Sequence, residues 1–256
     1  MTRGDLPEFL ATIGRRADLL GALDGRAARK PELETELDVS RSTIDRGIRE
    51  LEQRALIERT DGGYQRTLAG SLALEEYDRL RERVEGLARG GELLAALDRD
   101  VDLDSAMLAA ATLIERERTS PYRPVEELYD IIDAATEVRA FDLTVHPQQA
   151  DVYRRNVEDG MVTELVLSAE VIERLVAAHA TAFEATVETN RVGLWQATEE
   201  LPYGLLVAET PSGPVAVVMV YSDRGVVGCI RNDDPEAVAW ARQRFERERD
   251  RATRLA

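Results

Sequence analysis

Cysteine occurs once in 256 residues, at Cys229 inside an apolar run, and histidine only twice. A disulfide framework needs pairs of cysteines, and a zinc centre built on Cys and His needs three or four ligands, so neither organises this chain. The lone thiol is expected to be buried and structural. Lysine is equally scarce: Lys30 stands alone among 33 basic residues, the rest being arginine. No apolar run reaches the length of a bilayer-spanning helix, and the opening "MTRGDLPEFLATIGRRADLL" interrupts every turn with charge, unlike a signal peptide. The expectation is a cytoplasmic protein with no membrane partner.

What is abundant is acid. The formal charge is -16, and hydrophobic residues still make up 44% of the chain, enough for ordinary cores. Few lysines with a large carboxylate excess resemble proteins of salt-in halophiles; a GC-rich genome explains the arginines alone. The acid is unevenly placed. Residues 1–70 hold 12 basic and 13 acidic side chains, whereas the remainder holds 21 and 36. A near-neutral head on an acidic body suits a head that must approach phosphates.

In the head, Leu6, Phe9, Leu10, Ile13, Leu19, Leu20 and Leu23 recur at helical spacing up to the stop Asp24-Gly25. Pro31 opens a short second helix, "PELETELD", with Leu33 and Leu37 turned inward. Ser40 is placed to cap a third helix, whose Ile44, Ile48 and Leu51 form an inner stripe. Arg41, Ser42, Asp45, Arg46 and Arg49 then face outward. "LIERTDGGYQRT" reads as a hairpin turning on Asp61-Gly62-Gly63. This order over residues 6–70 resembles a winged helix-turn-helix module. The resemblance implies that helix 41–57 enters the major groove of double-stranded DNA, with Ser40, Arg41, Ser42, Thr43, Arg46 and Arg49 as donors. Arg59, Tyr64, Gln65 and Arg66 would belong to the wing near the backbone. Arginine can fork onto guanine, and hydroxyls can bond phosphates or base edges. Asp45 is the discordant member, since an acid there faces phosphate unless a neighbouring cation takes it.

After the hairpin, Ala73, Tyr77, Leu80, Val84 and Leu87 alternate steps of four and three, the seam of a short coiled coil that would join two copies as a homodimer. Gly90-Gly91 ends or bends that helix. The domains read as 1–70 for the head, 71–103 for a linker or dimerisation helix, and 104–256 for the body. Within the body, "MLAAATLIE", "VRAFDLTV", "MVTELVLS", "RVGLWQA", "YGLLVAE", "PVAVVMVYS" and "GVVGCIR" read as strands. "PVEELYDIIDAATE", "PQQADVYRRNVEDG", "AEVIERLVAAHATAFEATVE" and "DPEAVAWARQRFERERDRATR" read as helices. The overall class is α+β or α/β, with a mixed sheet covered by helices.

The tail "GVVGCIRNDDPEAVAWARQRFERERDRA", with "LPYGLLVAE" and "DGMVTELVLSAEVIERL" before it, resembles the sensor domain of archaeal winged-helix regulators of the methanogenesis-regulator type, common in haloarchaea. That resemblance implies a non-catalytic, phospholipase-D-like half that binds a small effector. The phospholipase reaction needs a His-x-Lys pair, and His146-Pro147-Gln148 does not supply it. No Walker loop, metal set or cofactor motif is present, so no catalytic residue, metal or cofactor is expected. Side chains near strand ends, His146, Trp195, Tyr203, Tyr221 and Arg231, are the candidates for an effector pocket. The expected function is a DNA-binding transcriptional regulator acting as an effector-modulated homodimer. Two alternatives stay open: an α/β enzyme acting on a metabolite with a localising head, and a protein-docking adaptor that never meets DNA.

Overall fold

A computed structural model describes residues 6–144, 147–177, 189–223 and 225–255. The chain divides into two compact units, Met1–Glu82 and Arg83–Ala256, the division falling within one helix a few residues before Gly90-Gly91.

The first unit runs α1 (Leu6–Ala22), α2 (Lys30–Leu37), α3 (Arg41–Gln53), β1 (Ile57–Thr60), β2 (Gly63–Arg66) and the first part of α4 (Leu68–Arg89). Its core gathers the inward stripes: Ile13 and Leu20 from α1, Leu33 from α2, and Ile44, Ile48 and Leu51 from α3. Ser40 caps α3 by accepting from the Thr43 amide at 3.3 Å, satisfying one of the free donors of a helix start. The third helix is shorter than the sequence suggests. It stops at Gln53, not 57, because Ala55 takes a left-handed conformation at φ 55° and the Leu56 amide folds back onto the Leu51 carbonyl.

The β1–β2 hairpin is antiparallel, with Thr60 opposite Gly63. Gly63 sits at φ 130°, and a Cβ there would lie 2.3 Å from the Ala28 carbonyl oxygen. Only glycine lets β2 reach the Ala28 segment, where Tyr64 and Ala28 exchange two backbone hydrogen bonds of 2.9 Å. Gly70 makes a second close crossing, since its Cβ would stand 2.0 Å from the Leu56 carbonyl oxygen. Gly70→Ala is therefore expected to lower the stability of this unit by about 1–3 kcal/mol or more through overpacking against backbone. Urea denaturation followed by helical circular dichroism measures it, and an unchanged midpoint would contradict the close packing.

In the second unit, α4 ends and α5 (Gly91–Ala95) follows. Then come β3 (Thr112–Glu115), α6 (Arg123–Ala134), β4 (Glu137–Asp142), α7 (Pro147–Glu158), β5 (Val162–Leu167) and a helix over 169–177, here α8. The unit closes with β6 (Val192–Gln196), β7 (Gly204–Thr210), β8 (Gly213–Ser222), β9 (Gly225–Asn232), α9 (Pro235–Arg251) and β10 (Thr253–Arg254). Among the described residues, eight strands form one sheet in the order β10-β6-β5-β4-β7-β8-β9-β3. β4, β5 and β6 are mutually parallel, and β4 meets β7 antiparallel. Strand alternation gives each face its own core. One face joins Phe141, Tyr203, Val218 and Ile230 to Ala241 and Phe245 of α9. The other joins Val138, Ala140, Leu206 and Val217 to Ile132 of α6 and Val157 of α7.

Three readings of the body need correction or restriction. "MLAAATLIE" is not one strand: a 3-10 turn spans Ser105–Leu108, Ala110 adopts φ 52°, and pairing with β9 starts only at Thr112. The turn is held by the Asn232 side-chain amide, which donates to the carbonyls of Ala106, Met107 and Ala109. The last helix ends at Arg251, because Thr253 and Arg254 leave it to pair with Gln196 and Trp195 of β6. Of the helix read over "AEVIERLVAAHATAFEATVE", residues 178–188 lie outside the described residues. Cys229 is buried on β9, and burial pushes its thiol up to about 12.

Candidate functional sites

The outer face of α3 is an array of unburied donors. Ser40, Arg41, Ser42, Thr43, Arg46 and Arg49 are all exposed, and the Arg41 side chain retains 79% of its surface. Ser40 Oγ lies 2.9 Å from both the Ser42 and Thr43 hydroxyls, forming a small hydroxyl cluster at the helix start, where backbone N–H groups favour an anion. The discordant Asp45 is neutralised locally. Lys30, from the start of α2, donates to its carboxylate at 2.6 Å, and Arg41 stands at 4.0 Å. The Lys30 hydrogen bond is the main cause that holds the Asp45 carboxyl below its usual range, and it raises Lys30 in turn. The only lysine of the chain thus leaves three arginines of α3 facing outward without a free acid between them.

The hairpin residues divide. Arg59 is exposed on β1. Tyr64 is half-buried, packs on the head core and lies under the Lys30 ammonium, 5.7 Å from ring centre to Nζ. Gln65 donates to Glu58 across the hairpin at 2.8 Å. Arg66 turns back to an ion pair with Asp24, and its side chain is only 12% exposed. Of the four predicted wing residues, Arg59 is the one whose charge is presented outward.

The second unit holds a cavity of about 100 Å³ on the α7 side of the sheet. Its floor is made of alternate residues of neighbouring strands, among them Ala140 and Asp142 of β4 and Thr163, Leu165 and Leu167 of β5. Val157 of α7 and Leu175 of α8 contribute to its walls. Its Asp142 and Leu167 end lies at the carboxyl ends of parallel strands β4 and β5, where ligands of α/β sheets commonly bind, and it extends back to Thr163 near the start of β5. Asp142 is buried in it. Tyr221 Oη donates to its carboxylate at 2.8 Å, while the Thr144 amide and Gln149 Nε2 stand farther away, at 3.4 and 3.5 Å. Burial outweighs these bonds and pushes the Asp142 carboxyl up to about 6; the nearby phenols of Tyr153 and Tyr221 are raised too, chiefly by burial.

The family profile of the methanogenesis regulatory protein FilR1, middle domain, matches residues 121–251, just over half of the chain. The chain belongs to this family. A second profile, the HVO_A0261 N-terminal domain, matches residues 5–89. No curated protein matches. Among solved structures, an archaeal chromatin protein, TrmBL2, whose structure is described as showing a novel mode of DNA binding, is similar over 99% of this chain and 100% of its own, with 14% identity and a TM-score of 0.45. A phospholipase D family member, Nuc from Salmonella typhimurium, is similar over 57% of this chain and 97% of its own, with 8% identity and a TM-score of 0.40.

Within the FilR1-type domain the five effector candidates scatter. Tyr221 is the one that reaches the cavity chemistry, through Asp142. Trp195 lies on the opposite face of β6 from cavity-lining Leu194, packed on the α9-side core with Arg254 over its ring. Tyr203 is fully buried against Phe141, and its hydroxyl donates to the Asp102 carbonyl at 2.7 Å, tethering the segment before the 3-10 turn. Arg231 pairs with Glu127 at 2.8 Å. His146 lies outside the described residues. The sequence reading missed Asp142, a buried acid of the FilR1-type domain. Its signal was an acid at the end of the apolar strand "VRAFD".

Proposed function

We propose that the chain is an archaeal DNA-binding transcription regulator whose first unit is a winged helix-turn-helix and whose FilR1-type unit senses a small effector. The carrying observation is the outer face of α3: a capped helix start with exposed hydroxyls, three outward arginines, and its one acid occupied by Lys30. Arginines and hydroxyls so arranged suit base edges and phosphates of a major groove. Membership of a family named for a methanogenesis regulatory protein supports the regulatory role. In this reading the chain works in the cytoplasm of a halophile by binding, without turnover or cofactor.

The protein acts as a homodimer in this proposal. Ala73 and Tyr77 of the predicted seam pack on the head core, but Leu80, Val84 and Leu87 remain about half exposed on α4 at coiled-coil spacing. An effector that prefers one dimer geometry would shift the separation of two recognition helices. Val84→Asp is expected to convert the dimer to monomer in sedimentation equilibrium. A dimer of unchanged strength would remove the α4 stripe from the interface.

The buried state of Cys229 allows a direct test of the docking mode. Ser42→Cys offers a single reactive thiol for a DNA-cleaving iron chelate. Cleavage of bound duplex should concentrate where α3 enters the major groove. Uniform cleavage, or none from a bound complex, would overturn the assignment of α3 as the reading helix.

A further inference from the structure

The cavity of the second unit has a polar group at each end and hydrocarbon between. Register places Thr163 opposite Val138 and Asp142 opposite Leu167, so the two are offset by four residues along neighbouring parallel strands. At about 3.3 Å per residue this separates them by roughly 13 Å. Ala140 and Leu165 line the interval, with Leu194 beside them.

Both ends are under-satisfied. Thr163 is 1% exposed, and its hydroxyl has no hydrogen-bond partner. Among the described residues, the Asp142 carboxylate, with room for about four bonds, receives one short bond, from Tyr221, and long ones from the Thr144 amide and Gln149, with the Leu143 backbone a weaker contributor. No arginine or lysine of the described residues forms an ion pair with it. Arg154 also lines the cavity, but its guanidinium is engaged by Glu158 at 2.9 Å and Asp151 at 3.7 Å. With its carboxyl raised to about 6, Asp142 is mostly ionised at neutral pH, buried and, among the described residues, without a paired cation.

We infer that this cavity binds a slender organic cation, a primary amine on an apolar chain, with the ammonium on Asp142 and the chain lying along Leu165 and Leu194. An ammonium offers three donors to a carboxylate with vacant lone pairs, and the apolar walls strengthen the pairing by excluding water. Longer members of the class would place a polar terminus against the Thr163 hydroxyl. A carboxylic acid would bring a second negative charge to Asp142, and an alcohol would leave the first uncompensated. The inference rests on the proposed sensing role only in taking the cavity as the effector site.

Isothermal titration of the full-length protein at pH 7.5 with hexylamine, hexanol and hexanoate tests it without DNA. Hexylamine is expected to bind at least tenfold more tightly than hexanol, with hexanoate weakest. Asp142→Asn should bring hexylamine down to the level of hexanol, and Leu165→Phe, which fills the cavity, should abolish both. Hexanoate binding as tightly as hexylamine, no binding of hexylamine, or hexylamine affinity unchanged in either folded variant would overturn the inference. Operator binding is measured separately, so a failure here leaves the DNA-binding reading standing, and a failure there leaves the amine result intact.

Discussion

Replacing Arg41 and Arg46 together by alanine is expected to weaken specific DNA binding by about 1–3 kcal/mol for each base that the guanidinium groups no longer reach, which is roughly five- to 150-fold apiece. Both side chains are exposed, so truncating them leaves the head core of Ile44, Ile48 and Leu51 untouched. Asp45 would keep its main partner, because the Lys30 hydrogen bond does not depend on Arg41. The variant should therefore unfold at the wild-type midpoint while its affinity falls, and fluorescence anisotropy with a labelled operator reads the change. The two arginines share one helix and one groove, so their effects need not add. Unchanged affinity in the folded double variant would remove α3 from the interface.

Asp142→Asn should make the protein more stable at pH 8, by an amount on the order of 1–3 kcal/mol. Burial raises the folded carboxyl from 3.8 to about 6. Between those values the folded chain keeps a proton that the unfolded chain has released, so stability falls as pH rises through that window. The full penalty stands above it, about 3 kcal/mol at roughly 1.4 kcal/mol per unit. An amide never ionises and escapes the penalty, although it gives up some accepting capacity toward Gln149 and Thr144. Below about pH 3 the carboxyl is protonated in both states, and the difference between variant and wild type should vanish. Urea denaturation at about pH 3 and pH 8 gives the comparison. A variant no more stable than wild type at pH 8 would show that the acid is better compensated than its surroundings indicate. An acid retained at such a cost is a mark of function more than of architecture.

The head was legible because each of its signals is local. Ser40 is followed by an apolar stripe of helical period, Pro31 starts a helix, and Gly62-Gly63 marks a hairpin. What escaped was the end of α3. Nothing in "EQRALIE" distinguishes an alanine that will adopt φ 55° from one that continues a helix, and the choice is made when Leu56 is drawn into the core. The same blindness turned 107–115 into one strand, since Ala110 carries no mark of its left-handed conformation and the Asn232 amide that holds the turn lies more than a hundred residues away.

The cavity was beyond local reading for a related reason. It is assembled from alternate residues of several strands, so that Asp142, Thr163, Gly204 and Met219 meet only through the register of the sheet. Gly204 shows how tight that assembly is: a Cβ there would come within 2.9 Å of the Asp142 carboxylate. Aromatic side chains near strand ends were reasonable candidates on chemistry alone. Tyr203 instead serves the opposite face, where its hydroxyl holds the Asp102 carbonyl and Arg244 stands over its ring at 5.9 Å.

An acidic chain that grips DNA would have to do so chiefly through directed contacts. In concentrated salt, release of counterions from phosphates contributes little, and specificity leans on groove contacts and apolar burial. The most direct test is selection of bound fragments from random duplex DNA by the folded full-length protein, at both physiological and molar potassium chloride, with the enriched sequences read out. A regulator that docks two α3 helices predicts a short inverted repeat with half-sites about one helical turn apart. No enriched sequence at either salt concentration would contradict it.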